Sequence, residues 1–248
     1  MQCGGKRNLR SYEGTVWRVV EAQHRNATRR LVDSDAEQEL LEALIDGAKP
    51  PLPSGPGFEG LHYLLLTPFR HPPLPHGSRF GTRAERSLFY ASEALETAMA
   101  ETAYYRLVFL EGTEADLSPI TVELSAFRAD VRSRAAVDLT RPPFDVHHRA
   151  IASRIRYETT QRLGAEMRAD GVEVVRYPSA RDAAGAPNVA LFTPQALGRR
   201  MPRAPETWRC VATRERVEMQ KLDWFERRRL LFPRAQFEAG GVLPAPAV

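Results

Sequence analysis

Residues 77–101, GSRFGTRAERSLFYASEALETAMAE, contain Arg79, Tyr90 and Glu101 at equal steps of 11 residues. A single helix cannot span this stretch, because glycine opens it and a β-rich segment, SLFYA, follows. Helical periodicity begins only afterwards, with Ser92 as a candidate N-cap. The trio therefore straddles a strand, a turn and a helix. Side chains from three different elements are more typical of a pocket than of a packing stripe.

The elements on either side mix strands and helices without a regular βαβ alternation, which predicts an α+β fold. Alternating β-rich residues predict a strand over 14–22 that carries Arg18. Capping residues and an apolar stripe predict a helix over 33–50 that stops at Gly47. The other expected elements are strands at 117–127, 130–140, 172–180, 188–192 and 205–219 and one helix over 147–172, bent at Gly164 and closed by Gly171. Together they predict a single domain with a mixed sheet and packed helices.

Two stretches are predicted to be irregular. Residues 50–75 hold eight of the 19 prolines around a short apolar core at 61–66. Long irregular segments in compact domains are often functional loops, and a covering loop is the alternative interpretation. The final stretch, GGVLPAPAV, is predicted to be a loosely held tail.

The composition is that of a globular protein, with 248 residues of which 43% are hydrophobic and 27% charged. No apolar run is long enough to span a membrane, and the first residues lack the apolar stretch of a signal peptide. We therefore expect a cytoplasmic protein. Cys3 and Cys210 are too few for a disulfide framework and lack metal-ligand spacing.

The net charge of +4 is concentrated in one segment, Arg199–Arg234, which holds 11 Lys/Arg against 5 Asp/Glu. Such a segment either docks an acidic partner or RNA, or forms an ordinary solvated surface. The sequence leaves both interpretations open.

Common catalytic and binding motifs are missing from the sequence. It has neither the glycine-rich dinucleotide fingerprint nor the phosphate-binding loop of nucleotide hydrolases. His147 and His148 are adjacent and have no third ligand nearby in sequence, so no metal site is predicted. Ser179, in YPSAR, lacks the flanking glycines of a nucleophile elbow.

The trio's chemistry suits an anionic, aromatic substrate whose reaction develops positive charge. Arginine binds phosphate oxygens bidentately, and a tyrosine ring stacks on a base. A lone carboxylate stabilises the oxocarbenium ion that forms when an N-glycosidic bond breaks. NAD+ fits these demands, since it carries a pyrophosphate, flat rings and a nicotinamide that departs neutral. The alternative is purely structural, with Arg79 at the surface, Tyr90 in the core and Glu101 exposed as a partner of Arg106 or of another lysine or arginine.

The run from RFG through FYASEALETAMAE, followed by RYPSARDAAGAPNVALFTP, resembles the RES domain, which is named for its Arg, Glu and Ser. The resemblance spans residues 12–198, an NAD+-binding catalytic domain on this interpretation, with 199–248 as a basic C-terminal extension packed on it. It implies a fold related to ADP-ribosyltransferases. It also implies a toxin of a bacterial RES–Xre toxin–antitoxin pair that cleaves NAD+ by hydrolysis or phosphorolysis and so depletes the cell.

Further partners and substrates follow from the same resemblance. It implies an Xre-type antitoxin that blocks the pocket, with nucleic acid reached only through that antitoxin, and it is compatible with a homodimer. Inorganic phosphate would be a co-substrate if cleavage is phosphorolytic, and NAD+ is the substrate, so no other cofactor and no metal are expected. ADP-ribosylation of a protein target and a noncatalytic nucleic-acid-binding module are the two alternative functions.

Five positions carry the family residues over to this chain: Arg18, Arg79, Tyr90, Glu101 and Ser179. The resemblance assigns the arginines to the pyrophosphate, the tyrosine to stacking near the nicotinamide ribose and the glutamate to the anomeric carbon. The serine would fix a ribose or amide group.

The chain departs from the family pattern next to the second arginine. Many members carry Gly-Gly-Arg-(Trp/Phe)-Asn where this chain reads GSRFG, so Ser78 replaces a glycine and Gly81 replaces an asparagine. The geometry of this loop is therefore expected to be particular to this chain.

Overall fold

Strands and helices alternate irregularly through residues 5–22, 32–115 and 117–245, the part of the chain that the computed structural model describes. The helices are α1 Asp35–Ala48, α2 Tyr63–Arg70, α3 Leu95–Glu111, α4 His148–Ile151 and α5 Glu158–Ala169. The strands are β1 Arg10–Glu21, β2 Phe89–Ser92, β3 Ile120–Asp138, β4 Val174–Pro178, β5 Pro187–Leu191, β6 Arg203–Ala212, β7 Arg216–Lys221 and β8 Arg229–Pro233. The predicted α+β fold with a mixed sheet is confirmed.

The strands pair in the order β1-β2-β5-β4-β3-β6-β7-β8, and β1 also pairs with β3. That additional pairing closes the first five strands into a ring, from which β6, β7 and β8 extend as an antiparallel arm. The length of β3 permits this arrangement. Its first half pairs with β6, its last residues pair in parallel with β4, and β1 runs antiparallel along its other side.

Three apolar clusters cover the sheet. Helix α3 packs with the arm and β3 around the buried Trp208, helix α2 packs on the ring around Phe89, and helix α5 packs around Val175 of β4. Cross-strand pairing then aligns β1, β2 and β5, since Trp17 lies opposite Ser92 and Ser92 lies opposite Asn188. These three aligned residues, together with residues of the neighbouring helix α3, line the cleft described below.

The predicted helix over 147–172 is wrong as a single helix. Helices α4 and α5 are separated by a non-helical segment, 152–157. Gly164 lies inside α5 and lets the helix approach a neighbouring loop, because a Cβ there would lie 2.1 Å from the Phe80 carbonyl oxygen. Gly171 closes the helix as predicted, with a positive φ of 74°.

Two predictions around the opening stretch also need correction. Ser92 does not cap α3, since it ends β2 and the N-cap is Ala94, which makes no side-chain cap. The hydroxyl of Ser92 is used across the sheet instead. The proline-rich segment is not wholly irregular, because its apolar core forms α2, with Pro68 inside the helix.

The predicted strand at 205–219 is two strands, β6 and β7, joined by a hairpin, and a third strand, β8, was not predicted. The final stretch is more firmly held than expected up to residue 245. Leu243 is buried, and the Tyr104 hydroxyl donates a hydrogen bond of 2.5 Å to the Pro244 carbonyl oxygen. Residues 246–248 lie outside the described residues.

Helix α1 forms within the predicted range, although it continues past Gly47 to Ala48, and it does not bury its apolar stripe. The Ser34 hydroxyl accepts from the Glu37 amide while the Glu37 carboxylate accepts from the Ser34 amide, which is a capping box. Leu40 and Leu44 nevertheless remain exposed. Within the described ranges, no helix is both long and apolar enough to cross a membrane.

Candidate functional site

Glu101 projects from the second turn of α3 into a cleft. Its Oε1 accepts two short hydrogen bonds, of 2.6 Å from the Ser179 hydroxyl and 2.6 Å from the Asn188 side-chain amide. Both donors end on the same oxygen, and no described residue donates to Oε2. The carboxylate is therefore held through one oxygen, and the other is available to a ligand.

Ser179 lies behind Glu101 in the turn that follows β4. Its hydroxyl oxygen accepts from the backbone amides of Arg181 and Asp182 at 3.1 and 3.0 Å, as turn serines commonly do. The residue is 3% exposed and does not line the cleft. With both acceptor directions used, its proton is directed at the Glu101 carboxylate.

Asn188 completes this cluster, and sequence reasoning missed it. The residue is the second of β5, and local sequence pattern predicts only that it begins the strand over 188–192. Its side-chain oxygen accepts a hydrogen bond of 2.6 Å from the Ser92 hydroxyl at the end of β2. A carboxamide preceding a run of apolar residues in a strand was the available signal, since buried polar groups require partners.

Tyr90, on β2, lines the cleft and is fixed at its hydroxyl. The hydroxyl donates to the Ser78 hydroxyl oxygen at 2.9 Å and accepts from the Phe80 amide at 3.1 Å. Burial raises the pKa of Tyr90, so the phenol is neutral at physiological pH. Ser78, where many family members carry glycine, thus supplies a partner for the tyrosine that only a side chain can offer.

Arg18 reaches the cleft from β1. One of its terminal nitrogens donates a hydrogen bond of 2.5 Å to the Tyr90 carbonyl oxygen, and its guanidinium lies 5.0 Å from the centre of the Phe89 ring. Its Nε is buried without a hydrogen-bond partner. Desolvation lowers the pKa of Arg18 to about 10, which still leaves it charged at neutral pH. A partly buried cation without a carboxylate partner among the described residues suits an anionic ligand.

Arg79 also lines the cleft, but most of its donors are engaged. It donates to the carbonyl oxygens of Ile151 at 2.7 Å and of Ser153 at 3.0 and 3.1 Å. Its guanidinium stacks 4.8 Å from the centre of the Tyr157 ring. Arg79 therefore fixes the irregular segment after α4 and keeps fewer donors for a ligand than Arg18 does.

The cleft has a volume of about 390 Å³, within the range of small-molecule sites. It brings together Arg18, Arg79, Tyr90 and Glu101, with Ser179 immediately behind the glutamate. Apolar and aromatic residues not predicted from the sequence complete its walls: Trp17, Pro68, Pro72, Leu74, Tyr105, Tyr157 and Tyr177. In the part of the chain described by the structure, no group of three His, Cys, Asp or Glu side chains is placed to bind a metal ion.

No curated protein matches the sequence. One solved structure, the M. tuberculosis MbcT–MbcA toxin–antitoxin complex, has a similar chain with 14% sequence identity and a TM-score of 0.47, covering 81% of this chain and 86% of that one.

A family model gives the decisive match. It is described as the RES domain and covers residues 57–213, which include Arg79, Tyr90, Glu101 and Ser179. Arg18 precedes the matched range, although β1 brings it into the same cleft. The chain belongs to the RES domain family.

Proposed function

We propose that this chain cleaves the nicotinamide–ribose bond of NAD+ and that it acts as the toxin of a toxin–antitoxin pair. One observation carries the proposal: the Glu101 carboxylate, whose Oε2 has no donor among the described residues, faces the same cleft as the partly buried charge of Arg18, with which no described carboxylate pairs. A negative and a positive group kept apart in one cleft suit a substrate that carries a phosphate at one place and develops positive charge at another.

For bond cleavage, the protein mainly has to place a negatively charged carboxylate beside the ribose carbon. The electron pair of the C–N bond leaves with nicotinamide, which departs neutral, so no general acid is needed. The ribose carbon becomes cationic, and a carboxylate beside it stabilises that charge. Water or inorganic phosphate then adds to the carbon, and the proton of the attacking group is released.

Binding of the dinucleotide is assigned to the rest of the cleft. Arg18 keeps most of its donors and would pair with the pyrophosphate, since guanidinium groups bind phosphate oxygens bidentately. Arg79 would contribute charge and hold the wall that contains Tyr157. The neutral Tyr90 phenol and the aromatic walls would stack against the flat rings.

Release of nicotinamide from NAD+ by the purified chain tests the proposal. Glu101→Gln removes the negative charge and is expected to lower kcat about 100- to 1000-fold, as for loss of a single electrostatic group in other enzymes. Glu96→Gln is the matched control, because Glu96 is an exposed glutamate on the same helix and does not line the cleft. Equal turnover by the Glu101 variant and the parent would contradict the mechanism.

The nature of the acceptor is tested by the product. Hydrolysis gives ADP-ribose in phosphate-free buffer, whereas phosphorolysis requires added phosphate and gives phosphorylated ADP-ribose. Label from NAD+ that appears on a protein band in lysate would instead indicate ADP-ribosylation of a protein target.

The toxin role is supported by membership of the RES domain family together with the resemblance to RES–Xre toxins. It predicts that expression lowers cellular NAD+ and arrests growth, and that an Xre-type antitoxin encoded with the chain prevents both effects. Growth arrest by the Glu101→Gln variant at equal expression would separate toxicity from NAD+ cleavage and contradict the proposal that the toxin acts by depleting NAD+.

A nucleic-acid-binding role for the basic segment is less well supported. Most of its cations contact acidic partners: Arg199 and Arg203 with Asp130, Arg216 and Arg229 with Glu218, Arg228 with Glu96, Arg234 with Glu111, and Lys221 with Glu206. Charges neutralised within the protein contribute little to phosphate binding. The geometry therefore favours the solvated, ion-paired surface.

A further inference from the structure

Asn188 and Ser92 form a buried polar chain that ends on the proposed catalytic group. Asn188 is 3% exposed and Ser92 is 2% exposed, and the two lie opposite each other in the β2–β5 pair. The Ser92 hydroxyl donates to Asn188 Oδ1 at 2.6 Å, and Asn188 Nδ2 donates to Glu101 Oε1 at 2.6 Å. These short contacts run from the sheet to the helix and thereby connect the two elements across the floor of the cleft.

The Glu101 carboxylate and the Ser92 hydroxyl together fix the orientation of the Asn188 amide. If the amide were reversed, its oxygen would lie 2.6 Å from a carboxylate oxygen, and two acceptors would face each other. Ser92 reinforces the observed orientation, because its proton is directed at Oδ1. Ser92 does not contact Glu101 by a hydrogen bond, so it influences the carboxylate only through the amide.

The direction of the hydrogen bonds also determines which carboxylate oxygen meets a ligand. Ser179, from the turn after β4, and Asn188, from β5, approach Oε1 from two different elements and hold the carboxylate against rotation. Oε2 remains the oxygen without a described donor. Rigid support of this kind is what a site needs to keep a reacting group within a fraction of an ångström of its productive position.

We propose that Asn188 is a positioning residue that holds Glu101 Oε1 so that Oε2 faces the reacting sugar carbon, and that Ser92 acts through Asn188 by fixing its amide. This inference rests on the proposed NAD+ cleavage and assigns to the reaction two residues beyond those named by the family motif. Two competing explanations make different predictions. If the pair only satisfies buried polar groups, stability changes without kcat; if Asn188 contacts the substrate directly, KM changes without kcat.

Steady-state kinetics of nicotinamide release separate these explanations. Asn188→Ala is expected to lower kcat about 10- to 100-fold while KM for NAD+ changes by less than about threefold, since a transition-state contact is weakened and the binding groups remain. Ser92→Ala should lower kcat by a smaller factor. Combined with Asn188→Ala it should cause no further loss, because Ser92 then has no amide to orient.

Ser133→Ala is the matched control for these substitutions. Ser133 is buried on β3 and donates a hydrogen bond of 2.6 Å to Glu173, but neither residue lines the cleft. This variant should lose thermal stability and keep kcat. An unchanged kcat in Asn188→Ala, a rise in KM alone, or multiplied effects in the double variant would each overturn the proposal.

If the parent protein releases no nicotinamide, the proposed function is contradicted. The link between Asn188 and Glu101 can still be tested by thermal unfolding. The melting temperatures of Asn188→Ala, Glu101→Ala and the double variant form a cycle that needs no activity. Coupled residues predict that the double variant loses about 2–4 °C less than the sum of the single losses. Additive losses would show that Asn188 does not hold Glu101.

Discussion

Replacement of Arg18 by methionine should stabilise the protein while it removes activity. The guanidinium lies partly buried beside Phe89, with its Nε fully buried and one backbone carbonyl as its hydrogen-bond partner, and no acidic side chain among the described residues pairs with it. Methionine keeps an unbranched, apolar side chain on β1 and removes the charge. The substitution therefore separates what the fold needs from what a ligand needs.

The magnitude follows from the desolvation of the charge. Burial lowers the pKa of Arg18 from 12.5 to about 10, which corresponds to a charged form destabilised by about 3 kcal/mol. Loss of the hydrogen bond to the Tyr90 carbonyl oxygen costs about 1 kcal/mol in return. The net gain of about 2 kcal/mol should raise the melting temperature by about 4–8 °C for a chain of this size.

Activity should change in the opposite direction. Truncating one member of a buried charge pair with phosphate costs about 2–4 kcal/mol, so kcat/KM for NAD+ should fall about 30- to 1000-fold. Nicotinamide release and differential scanning fluorimetry measure the two effects on the same samples. Arg10→Met, at an exposed position of the same strand, should change neither. A lower melting temperature together with unchanged turnover for Arg18→Met would refute the reasoning.

Two further predictions concern stability and reactivity. Gly164→Ala should lower the melting temperature by at least about 4 °C because its Cβ would lie 2.1 Å from a backbone carbonyl oxygen, whereas Gly47→Ala, with nothing within 4 Å, should keep or raise it. Burial raises the pKa of the Cys210 thiol from 9.0 to about 11, so in a Cys3→Ser background the folded protein should react slowly with Ellman's reagent at pH 8 and rapidly once unfolded. The stability gained from the neutral thiol should be present below pH 9 and lost as the pH rises towards 11, and rapid reaction of the folded protein at pH 8 would contradict this account.

The sequence made the trio visible because each member is a reactive residue type in a distinct local context. Arg79, Tyr90 and Glu101 lie in a turn, a strand and a helix, and the fold brings these three elements to one cleft. Arg18 was placed on a strand by alternation, and the β1–β3 and β1–β2 pairings carry it to the same place. The presence of these four residues in one cleft could therefore be predicted from local sequence pattern together with the resemblance to a known family.

The residues that support the trio depend on tertiary contacts, which local pattern does not report. Ser92 was interpreted as a helix cap because serine commonly precedes a helix, yet its hydroxyl bonds across the sheet to Asn188. Helical periodicity was extended through 152–157, where the backbone carbonyl of Ser153 accepts from Arg79 instead of continuing a helix. In both cases a partner distant in the sequence overrides the local preference.

The contacts also extend the functional unit beyond the segment that the family model matches. Residues 57–213 contain most of the cleft, but Arg18 comes from the strand that closes the ring before this range. On the other side, the Gln236 side chain donates to the carbonyl oxygen of Arg181, two residues after Ser179, and Arg154 joins the Ala180 and Glu238 carbonyl oxygens. Residues 234–238, which follow β8, thus hold the turn that orients Ser179 and, through it, Glu101. The residues matched by the family model are therefore not sufficient to build the site, because residues that complete the cleft and support its carboxylate lie both before and after the matched range.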